Sequence, residues 1–118
     1  MKSSSQPNNE ADRSLTAPDE LVELAVLYDH YGVLMKESKR EIFEAYVLDN
    51  LSLSEIAGEY GMTRQGVYDV INRSRKKLRE YEEKLHLIER EGKIISIIDG
   101  AQMNPAEKER ILAEIVGI

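Results

Sequence analysis

The sequence predicts an all-α protein, and three observations support that prediction. Apolar residues recur at three- and four-residue steps from Pro18 onward, and no stretch alternates as a half-buried strand does. Serine, threonine and asparagine also stand at several positions where a helix would begin. We therefore expect five helices, or six if residues 93–99 form a separate turn: a helical domain with a helix-turn-helix, a long recognition helix and C-terminal helices.

Length and composition indicate one domain. The chain has 118 residues, which is enough for one ordinary domain and too few for two. Residues 1–17 are rich in Ser, Asn and Gln, so we expect a disordered tail there and a single helical domain over residues 18–118. No secretory signal and no apolar run of membrane-spanning length is present, which favours a cytoplasmic protein without membrane contact.

The first two predicted helices each carry an apolar face. One extends from about Pro18 to Met35, and its tyrosines, Tyr28 and Tyr31, fit core packing better than a ligand site. The second is expected to open with a capping box at residues 38–41 and to end near residues 49–50.

The next segment has the spacing of a helix-turn-helix over residues 52–79. A capping box at residues 52–55 opens a short helix, and Gly61 ends it in the left-handed conformation that glycine tolerates. Ala57 is small enough for a second helix to cross closely, and Thr63 caps that helix so that its amino end projects outward.

The long helix that starts at Arg64 predicts a seam of apolar contacts. Its positions lie on one line at alternating steps of four and three, which is typical of helices that pack along their length. Part of this seam is expected to face the first helix and part a second copy of the chain. The predicted homodimer contacts are Leu78, Tyr81, Leu85 and Ile88.

The pattern pauses around Gly92 and then resumes with an isoleucine cluster at residues 93–99. Asn104 followed by Pro105 is a strong start signal for a terminal helix that continues to Val116.

Charge is distributed unevenly along the chain. Residues 64–79 hold six basic residues and one acidic residue, a net charge of +5, so the rest of the chain carries −11 of the total of −6. In a helix-turn-helix, the exposed start of the second helix meets bases or phosphates. The predicted nucleic-acid-binding residues are Thr63, Arg64, Gln65, Tyr68, Asn72, Arg73, Arg75, Lys76 and Arg79.

Two functions remain open at this point. The basic segment favours a nucleic-acid-binding regulator, although Asp69 would repel phosphates. The acidic remainder and the long seam favour a protein-interaction module that binds a partner protein or a second copy and has little affinity for nucleic acid.

Enzymatic function has little support in the sequence. The glycines form no phosphate-binding loop, and the absence of cysteine excludes thiolate metal sites and a cysteine nucleophile. His30 beside Asp29 is the one candidate base, but an exposed histidine at a helix end is far commoner. We expect no catalytic residue, no metal and no cofactor.

Four segments resemble the YlxM family of small bacterial helix-turn-helix proteins: residues 51–57 (LSLSEIA), 64–69 (RQGVYD), 28–34 (YDHYGVL) and 39–43 (KREIF). The helix-turn-helix also resembles region 4 of bacterial sigma factors. The YlxM resemblance covers about residues 21–90. Genes of that family neighbour those of the signal recognition particle, which implies a cytoplasmic regulator of that pathway. The resemblance implies contact with signal recognition particle RNA or with targeting GTPases, and promoter DNA is a further candidate nucleic acid. The family supplies no catalytic or ligand residues to carry over.

Overall fold

A computed structural model describes residues 16–117 of the chain. Over that range the chain forms six α-helices, one 3-10 turn and no strand, so the all-α prediction is confirmed. The elements are α1 Pro18–Tyr31, the 3-10 turn Gly32–Leu34, α2 Glu37–Val47, α3 Leu53–Tyr60, α4 Arg64–Leu85, α5 Leu87–Asp99 and α6 Pro105–Val116.

The predicted tail at residues 1–17 lies outside the described residues except for its last two. Thr16 is buried, and its hydroxyl lies 2.7 Å from the hydroxyl of Tyr46 in a hydrogen bond. Ala17 then provides the N-cap of α1. The assignment of these two residues to a disordered tail is therefore wrong, because Thr16 is held by a partner thirty positions away in sequence.

The chain divides into two compact units, one up to Tyr81 and one from Glu82 onward. The boundary falls inside α4, which differs from the single domain predicted for residues 18–118. Burial explains the difference. The last buried side chain among residues 16–117 is that of Leu78, so the core of the first unit ends just before the boundary.

The first unit has one hydrophobic core to which α1, α2, α3 and α4 all contribute. Tyr28 and Tyr31 are both buried, which confirms that they are core residues. Complete burial of a large apolar side chain contributes roughly 1.5–3 kcal/mol to folding. The fully buried large side chains include Leu24, Tyr31, Phe43, Tyr46, Leu53, Ile56, Ile71 and Leu78.

The join between α1 and α2 differs from the prediction. α1 ends at Tyr31 rather than near Met35, and Gly32 then packs against the ring of Tyr28, where a Cβ atom would lie only 2.7 Å away. The predicted capping box at residues 38–41 is wrong. α2 starts earlier, with Lys36 as an N-cap residue whose side chain makes no capping hydrogen bond.

The helix-turn-helix is confirmed in its local detail. Ser52 and Glu55 form a reciprocal capping box at the start of α3. Gly61 has a φ of 64° just past the end of α3, and the Thr63 hydroxyl accepts a hydrogen bond of 2.9 Å from the Gly66 amide at the start of α4. Ala57 is buried in the same core cluster as Val67 and Ile71 of α4.

The second unit contains α5 and α6, and its start contradicts the prediction of an unbroken seam through Ile88. His86 has a φ of 56°, which ends α4 at Leu85. The carboxylate of Glu82 then accepts hydrogen bonds from the amides of Ile88 and Glu89, at 3.0 and 3.1 Å, and so caps α5.

In the rest of the second unit, the predicted pause at Gly92 is absent and the predicted start of the terminal helix is confirmed. α5 continues through Gly92 without the predicted pause. At the start of α6, the Asn104 side chain accepts a hydrogen bond of 2.8 Å from the Ala106 amide, as the start signal predicted.

A matched pair of glycine substitutions tests the turn between α3 and α4. We expect Gly61→Ala to lower the free energy of unfolding by about 1 kcal/mol, because a Cβ atom is unfavourable at positive φ. Gly58→Ala, in the interior of α3 with open space around it, should raise that free energy by roughly 0.5–1 kcal/mol. Urea denaturation measures both values, and a neutral or stabilising Gly61→Ala contradicts the turn geometry.

Candidate nucleic-acid interface

The amino end of α4 is exposed in the helix-turn-helix. Thr63, Arg64 and Gln65 are all exposed there. The side-chain amide of Gln65 donates a hydrogen bond of 3.0 Å to the carboxylate of Asp69, one turn further on. This bond orients Gln65 and leaves its carbonyl oxygen able to accept a further hydrogen bond. The carboxylate of Asp69, which was expected to repel phosphates, thus positions the side chain of Gln65.

Two predicted interface residues make contacts within the chain. Tyr68 is half-buried and packs against the hydrophobic core, so much of its ring is covered. Asn72 is also half-buried, and its side-chain oxygen accepts a hydrogen bond of 3.2 Å from Arg75. Both side chains therefore present less surface to a ligand than the sequence suggested.

Arg75 and Arg79 form an ion-pair network with α1. Arg75 lies 3.0 Å from a carboxylate oxygen of Glu20, and Arg79 lies 2.7 Å from the same oxygen and 2.8 Å from Glu23. Only 12% of the Arg75 side chain is exposed, against 42% for Arg79. The carboxylate of Glu20 thus already pairs with the Arg75 guanidinium group, which leaves less of its charge for the predicted phosphate contact.

The electrostatics of Glu20 agree with this network. Burial by itself would raise the pKa of the Glu20 carboxyl, but hydrogen bonds from Arg79 and Arg75 and their positive charges outweigh it. The pKa of Glu20 therefore lies below its ordinary value of 4.5. Sequence reasoning missed Glu20 and Glu23, since no local pattern links them to arginines more than fifty positions away.

Arg73 and Lys76 are exposed as well. Within residues 16–117, neither side chain has a carboxylate partner. We group them with Arg64 and Gln65, which are exposed at the start of the same helix. We call these four residues the α4 surface.

The predicted dimer contacts have different environments. Leu78 is fully buried in the core of the first unit, so its prediction as a dimer contact is wrong. Tyr81 is half-buried, with its ring centroid 5.8 Å from that of Tyr31. Leu85 is 47% exposed at the end of α4, and Ile88 is half-buried in α5.

Three other kinds of feature bear on function: metal-binding clusters, membrane-spanning helices and a candidate catalytic base. Among residues 16–117, no three His, Asp or Glu side chains are grouped so that they could hold a metal ion. No helix in that range is both long and apolar enough to span a bilayer. His30, the candidate base, has its Nδ1 atom 2.9 Å from the carbonyl oxygen of Val26 in its own helix.

The family model and the individual relatives that match this chain all belong to one family. Residues 19–115 match the model of the UPF0122 family, described as "Putative helix-turn-helix protein, YlxM / p13 like". A UPF0122 protein of Thermoanaerobacter sp. (strain X514) is 42% identical over 81 residues, which cover 69% of each chain. A UPF0122 protein of Halalkalibacterium halodurans is 38% identical over 98 residues, covering 80% of this chain and 90% of the relative. No solved structure matches the chain.

The Glu20 network predicts a pH-dependent loss of stability. At neutral pH, Glu20→Gln should lower the free energy of unfolding by about 1 kcal/mol, because two partly exposed arginines lose their ionised partner. The pKa of Glu20 is lower in the folded than in the unfolded chain, so its contribution is complete above about pH 4.5. It is lost as the pH falls through the folded pKa.

Urea denaturation of both proteins between neutral pH and pH 3 would measure this difference. The gap between wild type and Glu20→Gln should close as the solution becomes acidic. Glu23→Gln is the matched control, since Glu23 is more exposed and contacts Arg79 alone, and it should cost less. Equal stability of wild type and Glu20→Gln at neutral pH contradicts the network.

Proposed function

This chain belongs to the UPF0122 family of YlxM/p13-like helix-turn-helix proteins, and we propose that it is a non-enzymatic regulator that binds duplex DNA through the start of α4. The observation that carries the proposal is the exposed amino end of α4. The capping box of α3, the turn at Gly61 and the Thr63 cap fix its direction. The amino end of the second helix is the part that enters the major groove in proteins of this kind.

The α4 surface has suitable chemistry for this role. Arginine pairs with the edge of guanine and glutamine with that of adenine, which assigns base contacts to Arg64 and Gln65. Arg73 and Lys76 are exposed and placed to neutralise phosphates. Because the whole chain carries −6, long-range attraction to DNA is weak and binding depends on these close contacts.

We further propose that this regulation serves the signal recognition particle pathway in the cytoplasm. The support is the likeness of residues 51–57 and 64–69 to YlxM sequences, whose genes neighbour those of the particle. On this proposal, signal recognition particle RNA and the targeting GTPases are the other candidate partners.

Binding by the α4 surface can be tested by fluorescence anisotropy at low salt. The ligands are promoter-bearing duplex DNA and signal recognition particle RNA. We expect the double variant Arg64→Ala and Gln65→Ala to weaken DNA binding about tenfold or more, since each good side-chain pair with a base contributes roughly 1–3 kcal/mol. The control Lys84→Ala, outside the α4 surface, should bind as the wild type does.

The comparison of ligands separates the proposals. Tighter binding of the RNA than of any duplex would replace DNA by RNA as the ligand. If neither nucleic acid binds, the regulator proposal fails, and a pull-down on the targeting GTPases then tests the protein-interaction alternative directly.

A second candidate function, homodimerisation, has its own observation. No side chain from Glu82 to residue 117 is buried, although α5 and α6 are rich in isoleucine and leucine. Ile97 is 73% exposed, and Leu87, Ile94 and Val116 are exposed as well. Units below about 40 residues usually need a disulfide, a metal or oligomerisation to be stable. With no cysteine in the chain, we propose that a second copy covers these apolar residues.

Sedimentation of matched variants tests the dimer. We expect the wild type to dimerise at micromolar concentration, and Ile97→Glu to weaken self-association at least tenfold, because it places a charge in the apolar contact. Ser96→Glu, at the adjacent exposed position, adds the same charge and should leave the dimer intact. A wild-type protein that stays monomeric at high micromolar concentration contradicts this proposal.

A further inference from the structure

A cavity in the first unit has a cationic lining that no sequence pattern indicated. It has a volume of about 390 Å³ and lies between the start of α2 and the middle of α4. Four of its lining residues are cationic, namely Lys36, Lys39, Arg73 and Lys77, and none is acidic. Like charges gathered around one cavity repel one another, so this arrangement favours an anionic occupant.

These cations also differ from their neighbours on the other flank of α4. Arg75 and Arg79 are held there by the carboxylates of α1. Lys36, Lys39 and Arg73 have no carboxylate partner within residues 16–117. The ammonium group of Lys77 lies 6.0 Å from the ring centroid of Tyr81, an arrangement that leaves its charge unneutralised.

The start of α2 adds an independent feature to the same cavity. Lys36 lines the cavity and is also the N-cap residue of this 11-residue helix, and its side chain makes no capping hydrogen bond. The amino end of a helix carries a partial positive charge and unpaired N–H groups, which together bind phosphate. An uncapped helix start and four cationic residues therefore meet at one place.

The distance along α4 between Arg64 and the cavity indicates which phosphate groups would occupy the cavity. Arg73 and Lys77 follow Arg64 by nine and thirteen positions, or about 14 and 20 Å at the helical rise. The major groove of DNA is about 12 Å wide. Residues this far from Arg64 along α4 are therefore placed to reach the sugar-phosphate backbone when the start of the helix contacts the bases.

We propose that the cavity lined by Lys36, Lys39, Arg73 and Lys77 binds backbone phosphates of the nucleic acid whose bases the start of α4 contacts. This inference rests on the proposed function and extends its phosphate contacts from Arg73 to Lys77 and to the start of α2. Phosphate contacts of this kind fix the register of a protein on the duplex without reading its sequence.

A pair of double variants tests the proposed phosphate binding through its salt dependence. Lys39→Gln with Lys77→Gln removes two charges from the cavity, and Lys84→Gln with Lys93→Gln removes two charges elsewhere. The slope of log affinity against log salt concentration changes by about 0.9 for each phosphate that the protein no longer neutralises. We expect the slope of the cavity variant to be shallower by one to two units on every duplex, and the control to keep the wild-type slope.

A second measurement probes the cavity without nucleic acid. Inorganic pyrophosphate added to the wild type should shift the amide NMR signals of residues 36–39 and 73–77, and should shift them far less in the cavity variant. If the signals do not move, or if the cavity variant keeps the wild-type slope and affinity, the inference is overturned.

The two measurements also distinguish this inference from the proposed function. If the cavity variant binds as wild type does while the Arg64→Ala and Gln65→Ala variant is weakened, the inference fails and the regulator proposal stands. If the wild type binds pyrophosphate but neither DNA nor RNA, both proposals fail and the cavity is a site for small phosphate compounds.

Discussion

The contact between one carboxylate and two arginines determines how α4 presents its charges. Glu20 of α1 accepts from both Arg75 and Arg79, which lie 55 and 59 positions further along the chain. The pairing joins the first helix of the first unit to the last and neutralises the cations on one flank of α4. Arg73 and Lys77, on the other flank, face a cavity without carboxylates.

The same contact explains how an acidic chain can have a surface that attracts anions. A total charge of −6 argues against nucleic acid when it is treated as uniform. In the folded chain, Glu20 and Glu23 are turned toward arginines of α4, and Asp69 is hydrogen-bonded to Gln65. These three acids therefore pair with residues of α4 and orient them. The sign of the total charge consequently says little about the charge of the surface that a ligand meets.

Local rules predicted the helix-turn-helix, since each signal depends on residues within one helical turn. The Ser52 capping box, the left-handed Gly61 and the Thr63 cap are of this kind. Long-range contacts were not predictable from those rules. Glu20 could not be matched to Arg75 by any spacing, and Lys36 and Lys39 came together with the middle of α4 only in the fold. The apolar seam predicted along α4 does not continue past His86, because the helix ends there and the carboxylate of Glu82 caps a new helix.

The proposed dimer and the proposed DNA contacts are linked through affinity. With Arg75 and Arg79 paired internally, one protomer offers only a few cations to phosphates, and each neutralised phosphate contributes a limited, salt-sensitive share of the binding free energy. Two connected protomers double the number of these contacts, and the second binding event becomes intramolecular. Helix-turn-helix dimers use this arrangement to bind two half-sites about one turn of DNA apart. The apolar residues after Glu82 therefore bear on DNA affinity, although they carry no charge for phosphates.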